Sequence, residues 1–389
     1  MVRPRLKRVF PPTPLGDGRI AIGGIDAGLA AEIEDDEHGH VWRLLSLLDG
    51  TRDLDGLVAE MARSGRAAPS PADVSAAVAA LADAGYVEDA AAAPPPGAFT
   101  AAELERYRRN ADFLSFFSPP DLSAYELQAR LRRSRVAVLG LGGLGASAAA
   151  SLAAAGVGAL RIVDFDTVEL SNLNRQVLYT EADVGLPKTR AAAARLRRIN
   201  PNVDVEAVDL RIAGVEDARA VVAGFDFLVC AADRPRVLIH RWLNSAAAAE
   251  GVPWAWGSNA GLTVQMGMLR PGHTGCFECD DRTYRERHPW YDGARRWEAE
   301  VLGERDVNPC IAPVSMMLGG MLALDVVFFL TQATPPSSYG TTTSVDLRSS
   351  VRRGRVVERH PHCATCATAA AAMAAAAATI AAAPEREAA

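Results

Sequence analysis

Apolar positions along the chain change their period several times, and each change predicts an element. Segments with strand character run from about Leu15 to Gly23. In HVWRLLSLLDGTRDLDGLVAEMARSG, which begins at His40, apolar residues recur at helical spacing and Asp49-Gly50 breaks the pattern, predicting a helix, a turn and a second helix. Ser70 to Asp73 form a cap for a third helix in PADVSAAVAALADAGYVED. That helix stops at Gly85, before a short apolar Tyr86-Val87 strand. Further on, RVAVLGLGGLGASAAASLAAAGVGALRIVDFD reads as a buried strand (Val136 to Leu139), a glycine-rich turn, an alanine-rich helix and a second strand ending in acid.

These elements group into domains. Residues 8–90 read as a small α+β domain of winged-helix character. AAAAPPPGAF supplies a linker at 91–100, because three successive prolines cannot continue a helix. The amphipathic ELERYRRNADFLSFF then leads into a main domain at 101–366, an α/β unit with a Rossmann-like, mostly parallel sheet flanked by helices. Residues 367–389, rich in alanine, read as a tail without core-forming side chains, disordered or helical in part.

Length and composition narrow the class. A chain of 389 residues, 49% hydrophobic and 23% charged, is long enough for two or three folded units with sizeable cores. A net charge of -6 argues against a partner recognised through phosphate backbone, so no nucleic acid is expected. No apolar run reaches membrane-spanning length without a charge, and MVRPRLKRVF lacks the apolar core of a signal peptide. The expectation is a cytoplasmic protein with no membrane partner.

Gly140, Gly142 and Gly145 match G-x-G-x-x-G. This turn lets a backbone approach phosphates at a helix N-terminus and fits a dinucleotide dehydrogenase equally well. Asp164, at the end of the second strand, is placed to accept hydrogen bonds from ribose hydroxyls in either case. The following segment, DFDTVELSNLNRQVLYTEADVGLPKTRAAAARLRRINP, departs from a dehydrogenase. Arg175 offers paired donors for phosphate oxygens, and Lys188 offers a compact charge near a helix start.

From Arg135 to Pro201 the chain closely resembles the ThiF/MoeB/ubiquitin-activating superfamily of adenylating enzymes. The resemblance implies ATP as nucleotide and Mg2+ as its ion. It assigns Gly143 to close backbone approach, Asp164 to the ribose, and Asp166, Asn172, Arg175, Gln176 and Lys188 to the phosphates and metal. Asp233, in FDFLVCAADRP, matches the acid that helps hold magnesium. Arg109, in ERYRRN, resembles the arginine that reaches the phosphates from a partner subunit and so implies a homodimer. In such a mechanism a carboxylate attacks the α-phosphate and pyrophosphate leaves, with positioning and charge stabilisation carrying the catalysis.

Cys276-x-x-Cys279 and Cys363-x-x-Cys366 offer the four thiolates of a closed tetrahedral Zn2+ site, which is structural where similar pairs occur in the family. His360 and His362 stand near enough to replace a ligand. Cys310 reads either as a buried small residue or as a thioester-forming cysteine, and Cys230 as packing. RTYRERHPWYDGARRWEAEVLGERD has the character of a mobile loop over the site.

WRLLSLLDGTRDLDGLVAEM with AVAALADAGYVED resembles the PqqD-like leader-peptide recognition modules of ribosomal-peptide maturation. Joined to an adenylating core, the arrangement resembles enzymes of the microcin C and pantocin type. It implies adenylation of a carboxylate on a precursor peptide held by its leader. Activation of a sulfur-carrier or ubiquitin-like protein, and non-catalytic delivery of a leader to another enzyme, remain the alternatives.

Overall fold

The computed structural model describes residues 1–23, 31–63, 67–92, 94–301 and 309–382. The chain divides into two compact units, Met1–Leu131 with Thr331–Thr334, and Arg132–Leu330 with Pro335–Ala389.

The first unit holds β1 (Pro4–Leu6), β2 (Pro12–Gly16), β3 (Arg19–Ile22), β4 (Ala31–Glu34), α1 (His40–Leu47), α2 (Leu54–Ala62), α3 (Pro71–Asp83), β5 (Val87–Asp89), α4 (Ala101–Arg106), α5 (Arg108–Ser115) and α6 (Ala124–Arg133). Strands β2, β3 and β4 form an antiparallel sheet, and β1 pairs with β5. The three expected helices are present. Asp53 caps α2 by accepting the Gly56 N–H at 2.8 Å, and Ser70 with Asp73 forms a reciprocal capping box on α3. Their apolar stripes close on β3, burying Ile20, Ile22, Leu44, Leu57, Met61, Val74 and Val78. Phe116, beyond the prolines, meets Phe10 edge-on with ring centroids 5.3 Å apart, and buried Lys7 donates to the Ser118 carbonyl at 2.7 Å. Compactness therefore divides the chain near 131, whereas the proline-rich segment suggested 91–100.

The second unit holds β6 (Arg135–Leu139), α7 (Gly143–Ala155), β7 (Ala159–Asp164), α8 (Lys188–Ile199), β8 (Asp204–Asp209), α9 (Val215–Val222), β9 (Phe227–Cys230), α10 (Leu238–Glu250), β10 (Trp254–Ala260), β11 (Thr263–Leu269), α11 (Phe277–Arg287), α12 (Tyr291–Val301), α13 (Ala312–Thr331), β12 (Thr341–Asp346), β13 (Arg352–Val356) and α14 (Ala364–Ala382). Among the described residues its sheet has eight strands in the order β13-β12-β11-β10-β9-β6-β7-β8. Strands β8 to β10 run parallel, and β11 to β13 extend the sheet antiparallel. The fold is the expected mixed α/β layer structure. Strands β6 and β9 are apolar almost throughout and fully covered, as parallel strands between helices must be. The chain leaves β6 for β7 on one side and later returns to β9 on the other. The crevice at such a reversal, outside the carboxyl ends of the strands, is where open α/β sheets bind ligands.

Two expectations change. The segment expected to be a loop after Cys279 is helical as far as Val301, in α11 and α12, while its last residues, 302–306, lie outside the described residues. The alanine tract forms α14, which packs along alanine-rich α10 with Ala369 buried, since small side chains let two helices approach closely. The apolar α13 is long enough to cross a membrane by length and composition. It carries Asp325, 2% exposed, whose carboxylate accepts hydrogen bonds from Ser337 and Ser338, including their backbone N–H groups at 3.0 and 2.9 Å.

Candidate active site

The glycine turn closes β6 onto α7. Gly140 has φ +87, and a Cβ there would come within 2.8 Å of the Ala231 backbone, so the ends of β6 and β9 abut. A Cβ on Gly145 would overlap the Gly140 carbonyl oxygen, and one on Gly143 would strike Ser315 Oγ. Gly142 differs: among the described residues a Cβ there meets only Gln176 Nε2, at 4.0 Å. The fold thus requires three of the glycines for its own packing and leaves the space over Gly142 open. Helix α7 starts there with no side chain capping it, presenting backbone N–H groups and the positive end of the helix dipole.

Asp164 is buried, and its carboxylate braces this turn. It accepts the Leu141 N–H at 2.6 Å on one oxygen and the Asp166 N–H at 2.8 Å on the other. Tyr179 donates to the Leu141 carbonyl at 3.0 Å. Burial, then the Asp164 charge, raises the Tyr179 phenol above its ordinary value, which keeps the hydroxyl protonated and donating. Nothing in the sequence singled out Tyr179, whose OH meets the Leu141 carbonyl only once the turn is in place.

Lys188, first residue of α8 and 6% exposed, pairs with Asp166 at 3.0 Å, while its backbone N–H bonds the Asp166 carbonyl at 2.9 Å. Asn172 Oδ1 accepts the Glu169 N–H at 3.2 Å in a tight turn. That turn delivers Arg175, half-buried, whose Nη1 donates to the Ser171 carbonyl at 3.0 Å and to Asn174 Oδ1 at 2.9 Å. Gln176 is 3% exposed, and its Oε1 has no hydrogen-bond partner among the described residues, beside the open face of Gly142. A buried unpaired acceptor at that position costs stability unless a ligand or water donates to it.

Asp233 stands exposed just past β9, beyond the residues that abut Gly140. Cys230 is fully buried, and burial pushes its thiol up to about 12, in keeping with packing. Cys310 is half-buried, with Sγ 3.1 Å from Ser315 Oγ and its carbonyl accepting from Asn174 Nδ2 at 3.2 Å. Through Asn174 and Ser315 it joins the underside of the Arg175 turn and of Gly143. Neither role was legible in the sequence, because Asn174 is far from Cys310, and Ser315 far from Gly143, along the chain. Arg109, on α5 of the first unit, is largely exposed and pairs with Asp112 one turn on, at 3.2 Å.

A glycine turn on a parallel sheet, a lysine–aspartate pair and an arginine turn accompany a family-wide match: the ThiF family pattern covers residues 107–365. The chain belongs to the ThiF family. It is accordingly an adenylyltransferase. It is similar to the molybdopterin-synthase adenylyltransferase of Salmonella typhimurium, 32% identical over 68% of this chain and 96% of that one. In fold it is similar to Escherichia coli MccB solved with ATP, with a TM-score of 0.75 and 22% identity over 93% of this chain and 99% of the other. It is also similar to PaaA, with a TM-score of 0.70 and 26% identity over 91% of this chain and 100% of the other.

In this ThiF-family chain the four cysteines converge. The sulfurs of Cys276, Cys279, Cys363 and Cys366 all lie within 4.8 Å of one another, with Cys276 to Cys363 at 3.5 Å, Cys279 to Cys366 at 3.6 Å and Cys276 to Cys279 at 3.7 Å. Tetrahedral ligands with metal–sulfur bonds of about 2.3 Å lie about 3.8 Å apart, so the spacing fits one metal ion. The His360 N–H points at Cys279 Sγ at 3.3 Å, and its ring lies 3.0 Å from Arg282 Nη1. His360 therefore donates to the cluster from outside the four-sulfur set, and the His362 N–H bonds the His360 ring at 3.2 Å.

Proposed function

We propose that the enzyme uses ATP to adenylate a carboxylate on a ribosomally made precursor peptide, releasing pyrophosphate, with the first unit holding the peptide's leader. The observation that carries this reading is the extent of the structural likeness. MccB and PaaA match more than nine-tenths of the chain, first unit included, whereas the Salmonella typhimurium relative matches 68% of it. MccB has been solved with MccA bound. The small antiparallel sheet of the first unit offers edges on which an extended peptide can add a strand.

In this mechanism the N–H groups at the start of α7, over Gly142 and Gly143, receive the phosphates, with Gly140 and Gly145 shaping the turn. The Gln176 side chain faces the same space. Asp164, already fixed by two N–H donors, turns its remaining lone pairs to the ribose. The carboxylate oxygen of the peptide attacks the α-phosphorus, the bond to the bridging oxygen breaks, and the electron pair leaves with pyrophosphate. Lys188 and Arg175 stabilise the charge that develops there. Asp166, Asn172 and Asp233 would supply the oxygen donors magnesium prefers, and the ion would neutralise triphosphate charge. Arg109 completes the site from a second subunit of a homodimer. The four cysteines hold zinc in a structural role, since a closed all-thiolate set leaves no open position for catalysis.

Pyrophosphate–ATP exchange tests the reading. It should depend on a precursor peptide encoded beside the gene and fall about a hundredfold or more in Lys188→Ala and Arg175→Ala. The curated relative favours the second reading, activation of a sulfur-carrier protein. Exchange supported by a Gly-Gly-terminated carrier, and by no peptide, would establish that instead. Tight leader binding with no exchange at all would leave only delivery.

A further inference from the structure

Strand β10 runs on past the end of its parallel neighbour. It pairs with β9 only as far as Trp256, opposite Cys230, so Gly257 to Ala260 stand beyond the carboxyl end of β9. A Cβ on Gly257 would come within 2.8 Å of Leu322 and 3.0 Å of Leu144, the second residue of α7. Strand residues alternate faces, so Asn259 lies on the face of Gly257, the side on which α7 begins. One bond orients its carboxamide: Nδ2 donates to the Pro309 carbonyl at 2.9 Å. A carbonyl only accepts, which assigns the nitrogen and leaves Oδ1 as the free end. The next carbonyl, of Cys310, is held by Asn174 Nδ2 at 3.2 Å, and Asn174 Oδ1 accepts from Arg175 Nη1 at 2.9 Å. Two asparagines thus grip consecutive carbonyls of the segment entering α13, beside the arginine turn. Asn259 is half-buried, and its Oδ1, shielded from water, has no hydrogen-bond partner among the described residues. Such an acceptor is destabilising until a donor meets it.

We propose that Asn259 Oδ1 accepts the backbone N–H of the residue whose carboxylate is adenylated, which makes Asn259 a specificity-determining residue for a C-terminal carboxylate. The acceptor lies on the side of the sheet where α7 begins, where that carboxylate must meet the α-phosphate. Every C-terminal residue except proline carries an N–H two bonds from its carboxylate carbon, and the side-chain carboxylates of Asp and Glu stand farther from theirs. A site built to bond a donor rejects an analogue lacking it, because the acceptor is then left unpaired. The proposal rests on polypeptide adenylation and holds for a precursor peptide and for a carrier protein, since both end in such a residue.

Pyrophosphate–ATP exchange by the full chain tests it with three forms of the precursor peptide: the free acid, the C-terminal amide, and a depsipeptide whose last backbone N–H is replaced by an ester oxygen. Wild type should use the depsipeptide with kcat/KM about ten- to a hundredfold below the free acid and should not use the amide. Asn259→Ala should lose the same factor on the free acid, show no further loss on the depsipeptide, and keep its KM for ATP. Asn259→Asp, which retains an acceptor, should retain the ratio between the two probes, so misfolding of the alanine variant still leaves a readout. Equal use of free acid and depsipeptide by wild type overturns the proposal. A full depsipeptide penalty in Asn259→Ala also overturns it, because the acceptor then lies elsewhere. Exchange with the C-terminal amide does so too, by placing the activated carboxylate on a side chain. Wild-type exchange with a carrier protein and no peptide refutes the precursor reading alone, and the same three forms of the carrier's terminus then decide this one.

Discussion

Gly145 and Gly142 belong to one motif, yet a methyl group added to each meets different surroundings. At Gly145 it overlaps the Gly140 carbonyl oxygen, so Gly145→Ala should lower the melting temperature sharply or prevent folding. At Gly142 the nearest atom is Gln176 Nε2 at 4.0 Å, so Gly142→Ala should melt like the parent and lose ATP affinity, read by thermal denaturation and nucleotide titration. Parental ATP binding in that variant would show that no ligand approaches the turn. Lys188→Arg should not restore exchange, because a 6% exposed site built around a compact ammonium paired to Asp166 leaves little room for a planar guanidinium. Residue type and spacing singled out Arg175 and Lys188, and family resemblance singled out Gln176, as candidates for the phosphates. Tyr179, Asn174 and Ser315 were not legible, because each matters only through a partner that the fold brings near.

Helix caps are local, and the Ser70–Asp73 cap of α3 was legible in the sequence, whereas those made by Asp53 and Asp36 emerge only in the structure. Asp53→Ala should remove about 1 kcal/mol by leaving the first-turn N–H groups of α2 without their acceptor, measured by denaturant unfolding. Asp36 acts similarly at the start of α1, accepting the N–H groups of His40 at 2.9 Å and His38 at 3.0 Å. The backbone bond from His40 is the largest cause holding its carboxyl below the usual carboxylate range. A folded-state pKa below the unfolded value contributes stability that is present above about pH 4 and lost as pH falls through the folded value. The melting difference between wild type and Asp36→Ala should accordingly be present at pH 7 and shrink as the pH falls through the lowered folded-state value. The segment after Cys279 was misread as a loop for a reason of the same scale. Its polar, aromatic surface hides one buried anchor, Asp281, which accepts from Arg241 and Arg285 at 2.9 Å each and from the Tyr291 hydroxyl at 2.8 Å. Those bonds tie α11 to α10 and to the start of α12, and a helical period with so few apolar positions did not announce them.

For the whole molecule, the cysteine cluster joins residues 87 positions apart, linking the start of α11 to the start of α14. Metal analysis should return one zinc per chain, and chelation should lower the melting temperature of the second unit; a Cys363→Ser variant should reproduce that loss without chelator. A chain that melts identically with and without chelator, and carries no metal, would remove the zinc assignment. The sequence by itself determined the three helices of the first unit, the strand–turn–helix–strand unit from β6 to β7, the adenylating family and the ligand set of the cysteine cluster, because caps, hydrophobic period and charged spacing act within a few residues. It could not decide where the first compact unit ends, since that depends on Phe116 and Ser118 reaching back to Phe10 and Lys7 across the prolines. Nor could it separate the glycines that pack from the one that faces open space, or bring Asn259 to Pro309. Those outcomes belong to tertiary structure, where side chains distant along the chain share one volume and each is free or occupied according to its neighbours.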